Sequence, residues 1–275
     1  MTGRVAVIQF PGVNCEAESA RALRRVGLEA EIFRWTRGAQ ELRDFDAYVL
    51  PGGFSYQDRV RAGALAAKDP MVEVLGEEAE RGKPVLGICN GAQVLVEAGL
   101  VPGTGGRVDL ALARNRMVGR DGYYARWIHV RVETSDCLFT RGLPEGTLLP
   151  LPVAHGEGRF TSRRTSRLAA LVRSGHAPLR YANALGETTD RFPDNPNGSQ
   201  AAVAAVCNAR GNVLAMMPHP ERAQELGALP RDLAGAWGDR RDRALEKAMA
   251  GEEVVEAGPG LSVFDGLRRH LAGGA

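Results

Sequence analysis

The chain contains a cysteine between two glycines, in a spacing that suits a nucleophile at a sharp turn. Gly87, Cys89 and Gly91 form the pattern G-x-C-x-G, which is a nucleophile elbow with cysteine in place of serine. Glycine suits both flanking positions, because the nucleophile of an elbow has a strained backbone and nearby side chains would collide with neighbouring backbone. The chemistry predicted from this pattern is attack of a thiolate on a carbonyl carbon.

The segment after the cysteine adds to this prediction. A helix is expected to begin at Asn90, so that its N-terminus points at the sulfur of Cys89. Such a helix end favours the thiolate and offers a backbone N–H to an oxyanion. A cysteine after an apolar strand is more often a buried small hydrophobe, so the elbow pattern alone does not decide between the two roles.

A histidine and a glutamate in a proline-containing turn complete a candidate triad. The stretch Pro218-His219-Pro220-Glu221 follows an apolar strand, and its prolines restrict the backbone. Glu221 is predicted to orient His219, and only the fold can bring this distant histidine to Cys89. A second histidine, His155, lies in a polar glycine-rich loop. It is predicted to support the rim of the site or the docking of a partner, and not to act as the base.

The composition is that of an ordinary globular protein. The 275 residues are 44% hydrophobic and 25% charged, which allows a sizeable core. The 35 basic and 33 acidic residues leave a net charge of +2, which gives no electrostatic case for nucleic acid or a membrane surface. No apolar run approaches about 18 residues, and the N-terminus is expected to lead directly into a strand, with no room for a signal peptide. The scattered cysteines predict a cytoplasmic protein with free thiols and no metal site: Cys15, Cys89, Cys137 and Cys207.

Hydrophobic periodicity and turn residues predict alternating strands and helices. A strand over 4–10, a helix from the N-cap Asn14 to about Val26, and a strand over 28–35 form a βαβ unit, which implies a parallel sheet. The further predicted elements are a strand ending at Pro51-Gly52-Gly53, helices over 58–67 and 71–81, the elbow strand over 85–88 with its helix to about 98, strands over 126–133 and 148–153, a hairpin of strands over 202–208 and 212–217, a helix-prone segment over 232–251 and a closing helix over 261–271. We predict one α/β domain over residues 1–275, with a mostly parallel sheet, helices on both faces and the elbow at the C-terminal end of a strand.

Three stretches together resemble the class I (triad) glutamine amidotransferases. They are Gly87-Ile-Cys-Asn-Gly-Ala-Gln93, Pro218-His-Pro-Glu221 and Pro51-Gly-Gly-Phe-Ser-Tyr56. Within that family the chain is most similar to the glutaminase subunits of phosphoribosylformylglycinamidine synthase, on residues 10–15, 53–56, 154–158 and 197–199. The similarity runs in order over 4–223 and resumes at 258–271, so 224–257 is predicted to be an insertion relative to shorter bacterial forms.

The resemblance implies a flavodoxin-like amidotransferase domain and a role for each motif residue. Cys89 would attack the carboxamide of glutamine, His219 would act as acid and base, and Glu221 would fix the histidine. The resemblance also implies an oxyanion hole of backbone N–H groups and a polar side chain near the substrate, supplied by Gly52, Gly53, Asn90 and Gln93.

The resemblance also implies partners. Ammonia from glutamine would pass to a separate ATP-dependent synthetase subunit, which would convert formylglycinamide ribonucleotide to the amidine. The chain has no P-loop and no glycine-rich phosphate cradle, so no cofactor is expected in it, and ATP and Mg²⁺ are expected on the synthetase. A small bridging subunit is a further implied partner.

Departures from the family pattern and alternative functions remain open at this stage. The departures are Gln57, where glycine is common, Ala62, where cysteine is frequent, and Ala92, where a larger residue is usual. The chain could instead serve another pathway as an amidotransferase subunit, be a non-catalytic paralogue, or be a cysteine hydrolase that acts on peptides or esters. The complete triad argues against a scaffold, which does not need all three residues.

Overall fold

The computed structural model describes residues 3–103, 105, 107–133, 136–164, 166–252 and 256–273. Its strands, in chain order, are β1 (Arg4–Gln9), β2 (Glu29–Arg34), β3 (Ala47–Leu50), β4 (Val85–Ile88), β5 (Ala111–Ala113), β6 (Arg116–Met117), β7 (Arg120–Asp121), β8 (Tyr124–Val132), β9 (Leu148–His155), β10 (Arg159–Thr161), β11 (Leu179–Ala182), β12 (Val203–Cys207) and β13 (Val213–Met216). Its α-helices are α1 (Glu16–Arg25), α2 (Pro70–Glu80), α3 (Asn90–Glu97), α4 (Arg167–Arg173), α5 (Ala236–Met249) and α6 (Leu261–Leu271).

One sheet of nine strands dominates the described part of the chain. Its strand order is β2-β1-β3-β4-β13-β12-β11-β8-β9. The pairs from β2 to β13 are parallel, and the pairs from β13 to β9 are antiparallel. Helix α1 connects β1 to β2 and helix α2 connects β3 to β4, as parallel strands require. The predicted α/β fold with a mostly parallel sheet is confirmed, and an antiparallel extension continues it on one side.

The central strands are apolar because both faces of the sheet are covered. Every residue of β3, β4 and β13 is buried, and successive side chains of a strand point to opposite faces. Helix α3 packs on β4 and β13, whereas α1 packs on β1 and β2 and touches α6. One apolar core joins these elements, and it includes Cys89 at the turn between β4 and α3.

The predicted helix over 58–67 is wrong. The structure has only short 3-10 turns in and next to this segment, Ser55–Asp58 and Ala66–Lys68. Asp58 and Val60 have φ values of 52° and 73°, and a right-handed helical hydrogen-bond ladder cannot continue through residues with positive φ.

The predicted cap of the first helix is also wrong. The N-cap residue of α1 is Cys15, and its side chain makes no capping hydrogen bond. The side-chain oxygen of Asn14 lies 3.3 Å from the Cys15 sulfur instead. Asn14 therefore belongs to the turn that precedes the helix.

The described part of the segment 224–257 contains α5 and contributes most residues of a small apolar cluster. The indole N–H of Trp237 donates to the backbone carbonyl of Leu148 in β9, at 2.9 Å. One face of α5 is exposed, as Met249 shows, but Trp237 attaches the segment to the sheet. The cluster consists of Leu226, Leu229 and Ala244, with Trp127, Leu233 and Trp237 partly buried against it.

Within the described ranges, no helix combines the length and the apolar character needed to cross a membrane.

Candidate active site

The candidate nucleophile lies at a sharp turn between β4 and α3. Cys89 has φ 51° and ψ −105°. Residues other than glycine rarely adopt this backbone conformation. A Cβ on Gly91 would lie 1.9 Å from the carbonyl oxygen of Leu50, and a Cβ on Gly87 would lie 2.6 Å from a methyl carbon of Leu95. The elbow therefore needs glycine at both flanking positions, because strand and helix approach too closely for any side chain.

Sheet topology brings the histidine to this elbow. Strand β13 pairs in parallel with β4, and Met216 lies opposite Ile88. The two strands therefore end side by side, and the backbone N–H of Cys89 donates to the carbonyl of Met216 at 2.8 Å. His219 follows three residues later, in the turn after β13. Residues far apart in the chain meet because their strands are neighbours.

His219 and Glu221 form a buried hydrogen-bonded pair. Nδ1 of His219 donates to Oε1 of Glu221 at 2.5 Å, and neither side chain reaches solvent. The backbone N–H of His219 donates to the carbonyl of Pro152 in β9 at 2.8 Å, which fixes the position of the turn. Nε2 of His219 has no hydrogen-bond partner among the described residues. This nitrogen is therefore the one that is available for proton transfer.

The electrostatics favour a charged histidine. Burial alone would lower the pKa of His219, but the nearby charges of the Glu221 carboxylate and the Cys89 sulfur raise it well above its ordinary value. An imidazolium beside a thiolate can donate a proton to a leaving group and then take one from water. The structure brings Cys89, His219 and Glu221 together in the order that this chemistry needs.

In the loop after β3, Gly52 packs against the histidine and Gly53 packs against the backbone before α1. A Cβ on Gly52 would lie 2.7 Å from Cε1 of His219, and one on Gly53 would lie 2.7 Å from the backbone nitrogen of Asn14. Gly53 also has φ +142°, which favours glycine. The loop therefore brings its backbone within contact distance of the triad, and its predicted role as an oxyanion hole stays a prediction.

Asn90 and Gln93 belong to one buried hydrogen-bond network. The Asn90 amide accepts from the backbone N–H of Ser55 at 3.0 Å and donates to Gln93 at 2.9 Å and to Asp58 at 3.2 Å. Gln93 in turn donates to the carbonyl of Glu157 at 2.6 Å. Both side chains thus connect the start of α3 to the loops on either side. No observation here tests the predicted contact of Gln93 with glutamine.

Comparison with known families agrees with this geometry. The sequence model of the CobB/CobQ-like glutamine amidotransferase domain matches residues 2–242. The chain belongs to this family. The resemblance that the motifs predict is confirmed.

Relatives of this amidotransferase domain are similar over most of their length. Subunit PurQ of phosphoribosylformylglycinamidine synthase from Methanothrix thermoacetophila is 44% identical over 275 residues, which cover 98% of each chain. The protein of the same name from Thermus thermophilus is 46% identical over 220 residues, which cover 80% of this chain and 89% of the relative. A chain in the structure of PurLQS from Thermotoga maritima is 31% identical, with a TM-score of 0.68, and the match covers 90% of this chain and 100% of that one. The Methanothrix match spans residues 224–257 as well, and whether they are an insertion stays a prediction.

The amidotransferase domain has a strained loop beside the elbow. Tyr56, Gln57, Asp58 and Val60 all have positive φ, which costs about 1–3 kcal/mol for each residue that is not glycine. Gln57, where the resemblance predicts glycine, has φ 60°, a region that favours glycine. The departure therefore adds strain to the loop and removes no functional group.

Asp58 carries an unfavourable charge in this loop. Burial and the neighbouring carboxylate of Glu157 raise the pKa of Asp58 to about 6, although the hydrogen bond from Asn90 acts in the opposite direction. The sequence indicates nothing of this, because Glu157 lies in a distant loop and meets Asp58 only in the folded protein.

Cys15 is a residue near the triad whose position the motifs alone do not indicate. Its sulfur accepts a hydrogen bond from Nη2 of Arg222 at 3.1 Å, and ligand atoms of Cys15, His219 and Glu221 lie within 4.8 Å of one another. Such a group has suitable atoms for a metal ion. The positively charged guanidinium of Arg222 contacts the same sulfur, however, and its charge disfavours a cation between Cys15, His219 and Glu221.

Proposed function

We propose that this chain is the glutaminase subunit of phosphoribosylformylglycinamidine synthase, which hydrolyses glutamine to glutamate and ammonia. The observation that carries the proposal is the elbow cysteine beside a buried histidine–glutamate pair. The names of the relatives specify the pathway, since the chain matches subunit PurQ of that synthase over nearly its whole length. The geometry supports thiolate attack on a carbonyl carbon, and the relatives favour the carboxamide of glutamine as the substrate.

In the proposed mechanism the Cys89 thiolate attacks the carboxamide carbon of glutamine. His219 gives its proton to the amide nitrogen, the carbon–nitrogen bond breaks, and ammonia leaves a glutamyl thioester on the sulfur. Water then attacks the thioester carbon while His219 takes the proton, and glutamate and the thiolate separate. Glu221 holds the imidazole in one tautomer and stabilises its cation.

Backbone donors stabilise the negative oxygen that forms in both steps. The N–H of Asn90 at the start of α3 and the backbone of the Gly52-Gly53 loop both lie next to the elbow. Loss of one such donor typically lowers the rate by about 10²–10³. Gln93 would line the glutamine pocket through its network with Glu157.

The ammonia is proposed to pass to a synthetase subunit. The similar chain of PurLQS from Thermotoga maritima is covered over 100% of its own length, which supports an assembly of several subunits. ATP and Mg²⁺ would bind on the synthetase, and a small bridging subunit would join the complex. The acceptor would be formylglycinamide ribonucleotide, and the product its amidine.

The test compares two nitrogen sources in the complex of this chain with its synthetase. Cys89→Ala should abolish glutamine-dependent synthesis of the amidine and leave ammonia-dependent synthesis intact, because only the first reaction needs the thiolate. Cys207→Ala, a buried cysteine of β12, is the matched control and should retain both activities. Glutamine-dependent synthesis by Cys89→Ala would overturn the assignment.

A further inference from the structure

His155 is the last residue of β9, the strand that runs beside the triad. On this strand the carbonyl of Pro152 accepts the backbone N–H of His219 at 2.8 Å, and the carbonyl of Ala154 lies 3.7 Å from the sulfur of Cys89. His155 itself is 3% exposed. The described geometry thus places a second buried histidine at the edge of the candidate site.

Its tautomer follows from the side chain of Asn115. The Nδ2 group of Asn115 donates to the carbonyls of Gly122 at 3.1 Å and of His155 at 2.7 Å, and its Oδ1 accepts from the backbone N–H of Gly158 at 3.0 Å. These contacts settle the orientation of the amide. The same Oδ1 lies 3.1 Å from Nδ1 of His155. Nδ1 must therefore carry the hydrogen, which leaves a lone pair on Nε2.

That lone pair is buried and has no partner among the described residues. Buried polar atoms are nearly always hydrogen-bonded, so an unpaired one needs an explanation. The ring is also closely confined, since a Cβ on Gly158 would lie 2.1 Å from Cε1 of His155. Burial and the charge of His219 lower the pKa of His155 to about 3, so the ring is neutral near neutral pH.

We propose that Nε2 of His155 accepts a hydrogen bond from the carboxamide nitrogen of glutamine, the nitrogen that leaves as ammonia. This rests on the proposed function. A lone pair needs an N–H or O–H donor, and the carboxamide nitrogen carries two hydrogens while its oxygen carries none. That nitrogen must also approach His219 to be protonated, and His155 lies on the strand that flanks His219. No covalent bond to His155 forms or breaks.

The neutrality of His155 gives this contact a chemical purpose. A neutral imidazole can hold an N–H of ammonia without donating a proton to it. Ammonia therefore stays unprotonated and keeps the lone pair that a later acceptor needs. His155 is then a residue that selects an amide leaving group, while His219 remains the proton donor.

The test compares two substrates of the full chain, assayed with its synthetase. Glutamine leaves an N–H-bearing group, whereas the γ-methyl ester of glutamate leaves methanol through an oxygen without hydrogen. His155→Phe keeps a ring but has no acceptor, and kcat/KM for glutamine should fall about 5- to 150-fold, the usual effect of an unpaired buried group. The value for the ester should change less than about twofold. His270→Phe, at an exposed histidine in α6, should change neither.

Equal losses on both substrates, or no loss on glutamine, would overturn the proposal. If the unmodified chain hydrolyses neither substrate, the proposed function itself is wrong, which is a distinct result. If His155→Phe does not fold, a second measurement tests the proposal. It is nitrogen NMR of the His155 ring in the Cys89→Ala protein, which keeps His155. The spectrum should show hydrogen on Nδ1 from about pH 5 to about pH 8, and the Nε2 signal should move with glutamine and not with the ester. Hydrogen on Nε2, or equal shifts with both ligands, would also overturn the proposal.

Discussion

Replacement of Asp58 by asparagine should stabilise this protein, and the gain should grow with pH. The carboxyl group of Asp58 is partly buried and faces Glu157, and its pKa is raised from 3.8 to about 6. In the unfolded chain the same carboxyl loses its proton at the lower value. At neutral pH the folded protein therefore holds a charge that its surroundings disfavour, and asparagine has no such charge.

The size of the effect follows from the shift in pKa. Each unit is worth about 1.36 kcal/mol, so a shift of about two units gives at most about 3 kcal/mol, and the partial exposure of the side chain lowers the expected effect to about 1–2 kcal/mol. The folded pKa is raised, so the contribution of Asp58 to stability is most favourable below about pH 4 and is lost as the pH rises through about 6. Asp58→Asn should therefore match the wild type near about pH 4 and exceed it above about pH 7.

A second effect of the same substitution does not depend on pH. Asp58 has φ 52°, and asparagine tolerates this region at least as well as aspartate. The offset between the two proteins at about pH 4 measures this backbone term, and only the further difference at higher pH measures the charge.

The assay is urea unfolding of both proteins at several pH values, with Asp190→Asn at an exposed site as the control. Free energies of unfolding come from linear extrapolation. A gain that is equal at all pH values, or a wild-type protein that is the more stable one at about pH 8, would refute the electrostatic argument.

Three further outcomes are expected. Gly91→Ala should lower the melting temperature or prevent soluble expression, because its Cβ would lie 1.9 Å from a backbone oxygen of Leu50. An unchanged melting temperature would contradict the argument that α3 and β3 approach each other too closely for a side chain at this position. Trp237→Phe should lower the free energy of unfolding by about 0.5–1.5 kcal/mol, because the hydrogen bond to the carbonyl of Leu148 is lost. Unchanged stability would mean that this hydrogen bond does not attach the segment 224–257 to the sheet. Glutamine hydrolysis by the isolated chain should be slow and should rise when the synthetase and its nucleotide substrates are added, since a loop as rich in glycine as Gly52-Gly53 has several accessible backbone states and a partner can select the competent one. Equal rates would show an independent glutaminase.

Local patterns predict the parts of the site that depend on local structure. The elbow glycines, the cysteine and the histidine–glutamate turn are all visible in short stretches, because their geometry is set by neighbours in the chain. The strained loop is not visible, because Gln57 and Asp58 are ordinary residues and nothing in their local pattern indicates their positive φ values. Its interpretation as a helix fails for that reason.

Long-range pairs are the other part that sequence patterns do not show. The contact of Asn115 with His155 joins the turn between β5 and β6 to the end of β9, and neither residue has a pattern that indicates the other. Arg222 and Cys15 likewise meet only because α1 and the turn after β13 lie at the same end of the sheet. A single sequence predicts which residues carry chemistry, and the fold decides which of the remaining polar residues surround them.

The position of β13 in the sheet has a consequence for how the protein is made. This strand lies late in the chain, yet it sits in the middle of the sheet, between β4 and β12. Pairing between such distant segments forms slowly, and until it forms β4 has an open edge that can pair with other chains. We expect a nascent chain to depend on chaperones at this stage. The same order of events means that a chain still on the ribosome holds the cysteine without its histidine, so it cannot release ammonia before the enzyme is complete.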